Sequence, residues 1–159
     1  IANNEQPAVK PLLAMTCVDA AVDSCRVTSG VRIEFDFRDE RLRILADMEQ
    51  MRIALKNIIT NAVQAISGQG VVKISVRRIQ GGQAEISIAD SGKGIPLDDA
   101  GRIFEPLYST KSFGMGFGLP IVKNIIESHK GSVSVAPVPE GGTVFIVRIP
   151  CLEDAEWDN

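Results

Sequence analysis

Three polar clusters in this 159-residue chain have the residue types and spacing to do chemistry. The first is Asn57, Asn61 and Gln64, at i, i+4 and i+7. On a helix that spacing puts the amides on one side, away from the widest apolar stripe. Amide oxygens facing a ligand can coordinate a hard cation, although a solvated polar face has the same pattern. The second is Asp90-Ser91-Gly92-Lys93-Gly94-Ile95, directly after a strand-like run. Its glycines let the backbone approach a flat ligand, and a carboxylate at a strand end can accept from an exocyclic amine. An ordinary Asp-initiated turn would read the same way. The third is Gly114-Met115-Gly116-Phe117-Gly118-Leu119, leading into a helix. Free N–H groups and the helix dipole favour an anion there, and a flexible linker is the plainer alternative. The pattern has neither the strand-led dinucleotide spacing nor the Gly-Lys-Ser/Thr of a Walker loop.

These clusters need elements to hold them. Residues 1–11, with Pro7 and Pro11, read as a linker or loose arm. Helical spacing of Leu13, Cys17, Ala20, Ala21 and Cys25 predicts a helix over 12–25. Strict alternation over Val31–Phe37 predicts a half-buried strand, with a shorter one at Leu42–Ala46. Leu55, Ile58, Ile59, Ala62, Val63 and Ile66 form one apolar face of a helix over 49–66. Val71–Ile79 and Ala84–Ala89 form a hairpin across Gly81-Gly82. Leu97–Phe104 is a short helical candidate, and Leu119, Val122, Ile125 and Ile126 mark another helix, with Gly131 at its end. Ser132–Ala136 and Thr143–Ile149 close a last hairpin across Gly141-Gly142. The expected fold is α+β, a two-layer sandwich of a mixed, mostly antiparallel sheet of about five strands on three helices. The domain spans 12–152, and 153–159 is an acidic tail.

Composition narrows the function classes. The net charge is −3, which argues against nucleic-acid binding driven by phosphate charge. Cys17, Cys25 and Cys151 contain no CxxC pair and read as reduced thiols of a cytosolic protein. No apolar run is long enough to span a bilayer.

Taken together, the three clusters resemble the GHKL superfamily of ATP-binding domains, and within it the sensor histidine kinases. Asn57-Ile58-Ile59-Thr60-Asn61-Ala62 is similar to that family's N box and Asp90–Gly94 to its G1 box. Arg102-Ile103-Phe104-Glu105-Pro106-Leu107-Tyr108-Ser109-Thr110-Lys111 resembles its F box, Gly114–Leu119 its G2 box, and Gly141-Gly142-Thr143 its last glycine motif. Single boxes are weak signals, whereas five in this order are highly specific. The likeness runs over residues 8–150.

The resemblance implies ATP and Mg²⁺ as cofactors. Asp90 would take the adenine amine, with Thr143 beside it through water, and Ala65 and Ile95 would line the adenine pocket. Gly92 and Gly94 belong to the same box. Asn61, helped by Asn57, would hold Mg²⁺ and carry the catalytic role. Gly114, Gly116, Gly118 and Leu119 would wrap the phosphates, with Lys111 as a further contact. Residues from about 100 to 117 would form a lid that orders over nucleotide.

Hydrolysing relatives carry a glutamate four residues before the magnesium asparagine, where this chain has Asn57. Without that base, transfer to a protein side chain fits better than hydrolysis. Gln64 replaces a residue that is often basic in the family, and Pro120 a small polar one. The single histidine, His129, reads as a helix-end residue and not the acceptor. The acceptor is therefore expected on a dimerisation and histidine phosphotransfer domain upstream of Ile1, with a response regulator as the next partner. The resemblance leaves room for a membrane-bound parent with this domain in the cytoplasm, and for a monomeric fragment. A GHKL serine kinase of the anti-sigma type and a non-catalytic nucleotide sensor are the alternatives.

Overall fold

The computed structural model describes residues 6–95, 97–105 and 119–152, with backbone alone for Leu97 and Asp98. Along the chain run β1 (Lys10–Leu13), α1 (Ala14–Asp23), β2 (Val31–Phe37), β3 (Arg43–Ala46) and α2 (Met48–Gln64). Then come β4 (Gly70–Ile79), β5 (Gln83–Asp90), α3 (Leu97–Ala100), α4 (Leu119–Ser128), β6 (Ser132–Pro137) and β7 (Thr143–Pro150). Five strands form one mixed sheet in the order β2-β4-β5-β7-β6. Only β2 and β4 are parallel, and the chain between them carries α2. The other pairs are antiparallel. The expected α+β sandwich is the observed one.

Two-residue periodicity builds the layer contact. Val72, Ile74 and Val76 of β4, Ala84, Ile86 and Ile88 of β5, and Phe145, Val147 and Ile149 of β7 are all buried. They meet Ala54, Leu55, Ile58, Ile59 and Ala62 of α2 and Val122 and Ile126 of α4 in one core. Apolar burial on this scale is the main favourable term in folding. On the opposite sheet face Glu85, whose side chain is 10% exposed, pairs with Arg77 at 2.9 Å and Arg148 at 3.2 Å. The strand register puts all three in one cross-strand row.

Sequence and structure part at some boundaries. Lys10 and Pro11 belong to β1, not to a loose arm; β1 pairs with β3 from Lys10↔Ala46 to Leu13↔Arg43. The first helix consequently starts at Ala14 rather than residue 12. The third stops at Ala100, one turn along, before Gly101 and a turn. At the end of α4, Lys130 takes the left-handed conformation expected of a glycine cap (φ 63°), while the Gly131 N–H bonds back to the Ile126 carbonyl. The tail 153–159 lies outside the described residues.

Asp47 caps α2 by accepting from the Gln50 N–H at 3.1 Å. Its other oxygen accepts from the Ala8 N–H at 2.8 Å. Burial alone would lift this carboxyl, but the Ala8, Gln50 and Glu49 N–H groups hold it below the ordinary carboxylate range. A depressed carboxyl contributes stability above its unfolded pKa and loses it as pH falls through the folded value. We therefore expect Asp47→Ala to cost about 1 kcal/mol at neutral pH. Urea titrations should show that difference shrinking below about pH 4, where the unfolded carboxyl protonates.

Candidate nucleotide-binding site

The alternation that buries Ala84, Ile86 and Ile88 also turns Asp90, two residues on, toward the helices. Asp90 is thus a carboxylate at an apolar position, 5% exposed, at the last residue of β5. Its register partner Thr143 is 2% exposed on the same face. The Gly92 N–H donates to Asp90 Oδ1 at 2.9 Å, so the Asp-initiated turn is real. Burial pushes the carboxyl above its ordinary value, against the pull of the Gly92 and Thr143 backbone N–H groups. A carboxylate has about four acceptor positions. Two N–H donors therefore leave capacity for a ligand donor, and desolvation raises the value of satisfying it.

The turn after Asp90 rests on the end of α2. A methyl group on Gly92 would lie 2.3 Å from the Ala65 carbonyl oxygen and 3.0 Å from its Cβ. The Lys93 N–H reaches that carbonyl at 3.4 Å. On the other side Gly142, at φ 100°, passes so close to the Asp90 carbonyl that an added methyl would lie 1.9 Å from it. Only glycine tolerates both that φ and that approach. Ala65, Asp90, Gly92, Gly94, Ile95 and Thr143 are thereby gathered around one junction of β5, β7 and α2. A cleft of about 470 Å³ opens beside it, between Lys93–Ile95 and the Pro137–Gly142 loop. The cleft adjoins the carboxylate without enclosing it, and the carboxylate and the amides define the candidate site.

The amides are not a uniform polar face. Gln64 is exposed, Asn57 is half-buried, and Asn61 is 1% exposed within the helix–sheet layer. A merely solvated face is excluded for Asn61. Asn57 donates Nδ2 to the Ile53 carbonyl at 2.9 Å, which leaves its oxygen as the atom to present. Among the described residues no cluster of three His, Cys, Asp or Glu could hold a metal. Amide oxygens are compatible with a hard cation that also takes phosphate and water oxygens, as Mg²⁺ does.

Leu119, buried at 1%, opens α4. Lys111, Gly114, Gly116 and Gly118 lie outside the described residues. Among the described residues that precede them, Phe104 packs edge-on against Phe145 with centroids 6.2 Å apart. The site's dependence on Gly142 was not read from the sequence, beyond its place in a glycine motif. Nor was the Asp47 cap, although an Asp just before an apolar helix is its usual signal.

A family model described as "Histidine kinase-, DNA gyrase B-, and HSP90-like ATPase" matches residues 46–153. The chain belongs to this family. It is 39% identical over 127 residues to the signal transduction histidine-protein kinase AtoS of Escherichia coli K12, covering 77% of this chain and 21% of that protein. It is 37% identical over 121 residues to the sensor histidine kinase ZraS of Klebsiella oxytoca, covering 76% and 26%. The chain thus spans about a quarter of the length of these curated relatives. The catalytic domain of the histidine kinase ThkA superposes with a TM-score of 0.78 at 26% identity, over 89% of this chain and 95% of that one.

The Gly92–Ala65 approach makes a direct prediction. Gly92→Ala must push the turn off α2, and overpacking of this kind costs about 1–3 kcal/mol. Denaturant unfolding should show a lower midpoint with an unchanged slope.

Proposed function

We propose that this chain is the ATP-binding catalytic domain of a sensor histidine kinase. It binds Mg-ATP and presents the γ-phosphoryl group to a histidine on another domain of the parent protein. The observation that carries the reading is Asp90, a buried carboxylate with acceptor capacity at the junction of β5 and α2, the helix that bears Asn57 and Asn61. The family match, the histidine kinase relatives and the ThkA domain support it.

Asp90 accepts the adenine amine, with Thr143 beside it, while Ala65 and Ile95 line the base pocket. Asn61 and Asn57 would hold Mg²⁺, which neutralises phosphate charge. The N-terminus of α4 and the Gly114–Gly118 loop receive the phosphates, with Lys111 a further contact. Asn57 cannot act as a base, so water is not activated from this position and transfer to an incoming side chain is favoured. The domain's contribution is positioning and charge stabilisation. A dimerisation and histidine phosphotransfer domain is the first partner, and a response-regulator aspartate receives the group next. Among the described residues no helix is long and apolar enough to cross a membrane; we place the domain in the cytoplasm.

The test is calorimetry with a non-hydrolysable ATP analogue, with and without Mg²⁺. Binding should be tighter with Mg²⁺, and Asp90→Ala should weaken it about ten- to hundredfold, the range for a lost hydrogen bond to a charged group. Undiminished binding by the variant would refute the role of Asp90. Absence of binding by the wild type would refute the nucleotide site.

A further inference from the structure

His129 lies outside the nucleotide site and is 3% exposed. Both ring nitrogens are engaged. The Asp47 backbone N–H donates to Nε2 at 3.0 Å, and Nδ1 lies 2.8 Å from the Ile125 carbonyl oxygen. A nitrogen that accepts an N–H carries no proton, so the ring is neutral, with its hydrogen on Nδ1 donated to Ile125. The imidazole is a rigid strut. One side closes the last turn of α4, and the other holds the residue that caps α2.

Asp47 is itself held on several sides, by Gln50, by Ala8 and by its place directly after β3. The strut therefore joins the C-terminal end of α4 to the N-terminal end of α2. The two helices pack on one another, so they run antiparallel. The ten residues of α4 span about 15 Å at 1.5 Å per residue. The same length along α2 from Asp47 reaches Asn57, and Asn61 is one turn further. The start of α4 at Leu119 is thus level with Asn57 and one turn short of Asn61. Apolar packing between α2 and α4 is non-directional, whereas the hydrogen bond through His129 is directional and fixes an axial position.

We propose that His129 is a positioning residue for phosphate binding. It sets the slide of α4 along α2, and with it the placement of the phosphate-receiving helix end against the Asn57 and Asn61 amides. This rests on the nucleotide reading above. Adenosine, held through Asp90 at the far side of the site, should be indifferent to that slide.

Calorimetry on the wild type, His129→Asn and His129→Gln tests this with two ligands, adenosine and a Mg-bound ATP analogue. Asparagine can still donate to the Ile125 carbonyl but cannot reach Asp47, whereas the glutamine amide oxygen can stand near the Nε2 position. We expect His129→Asn to weaken the Mg-ATP analogue about tenfold and adenosine less than twofold, and His129→Gln to restore the analogue to within about threefold of wild type. Equal weakening of both ligands in a folded variant, or none, would overturn the role. A second measurement needs no substitution. Coupling is reciprocal, so the Mg-ATP analogue should slow hydrogen exchange at the Asp47 amide of the wild type severalfold, and adenosine should not. Equal protection by the two would overturn the proposal even if the asparagine variant fails to fold. A wild type that binds neither ligand would remove the nucleotide site, and this role with it.

Discussion

The turn after β5 lies directly on Ala65, the residue that caps the C-terminal end of α2, with no room for a side chain at Gly92. That contact makes one site out of two elements. The strand brings a carboxylate and the helix brings two amides, and neither would be fixed relative to the other by sheet pairing alone. The layer contact of Ile86 and Ile88 with Ile58, Ile59 and Ala62 sets the spacing, and the backbone approach at Gly92 and Ala65 sets the register. Gly142 closes the junction from the β7 side. The glycines here act through the atoms they omit, allowing three backbones to meet around Asp90.

The electrostatics of the junction follow from burial. A carboxyl group pushed up by desolvation still accepts two backbone N–H groups, so it stays useful as an acceptor without the rigid saturation of a structural ion pair. Glu85 shows the contrast. Five residues earlier on the same strand but on the other face, it is occupied by Arg77 and Arg148, which with their hydrogen bonds hold it below the ordinary carboxylate range although burial pulls it up. One carboxylate is paired within the sheet and the other retains capacity for a ligand. On the proposed reading, the absence of a carboxylate at position 57 completes the division of labour: the site would hold and present a phosphoryl group, and α2 would supply no base at this position for attack by water.

Much of this was legible in the sequence because periodicity carries layer contacts directly. The strands at Val31–Phe37 and β4 to β7, and the long helix with Asn57 and Asn61, follow from periods of two and 3.6. The Asp90–Gly94 and Gly141–Thr143 motifs pointed to the junction. What escaped depends on long-range pairing. β1 has only four residues, no alternation and a proline, and exists because β3 pairs with it. The burial of Asn61 was hidden because an amide at the margin of an apolar stripe reads as solvent-facing until the sheet is placed beside it. The His129 strut joins backbone and side chain across 82 positions, and no local pattern announces such a link.

On the proposed reading a nucleotide enters at the junction of β5, β7 and α2. The most direct test is a backbone-amide NMR titration of the domain with a Mg-bound ATP analogue. The largest shifts should fall together on Asn61, Ala65, Gly92, Gly94 and Thr143 and at the start of α4, with the Arg77–Glu85–Arg148 face of the sheet unmoved. Shifts concentrated on that outer face, or none at Gly92 and Thr143, would contradict that reading.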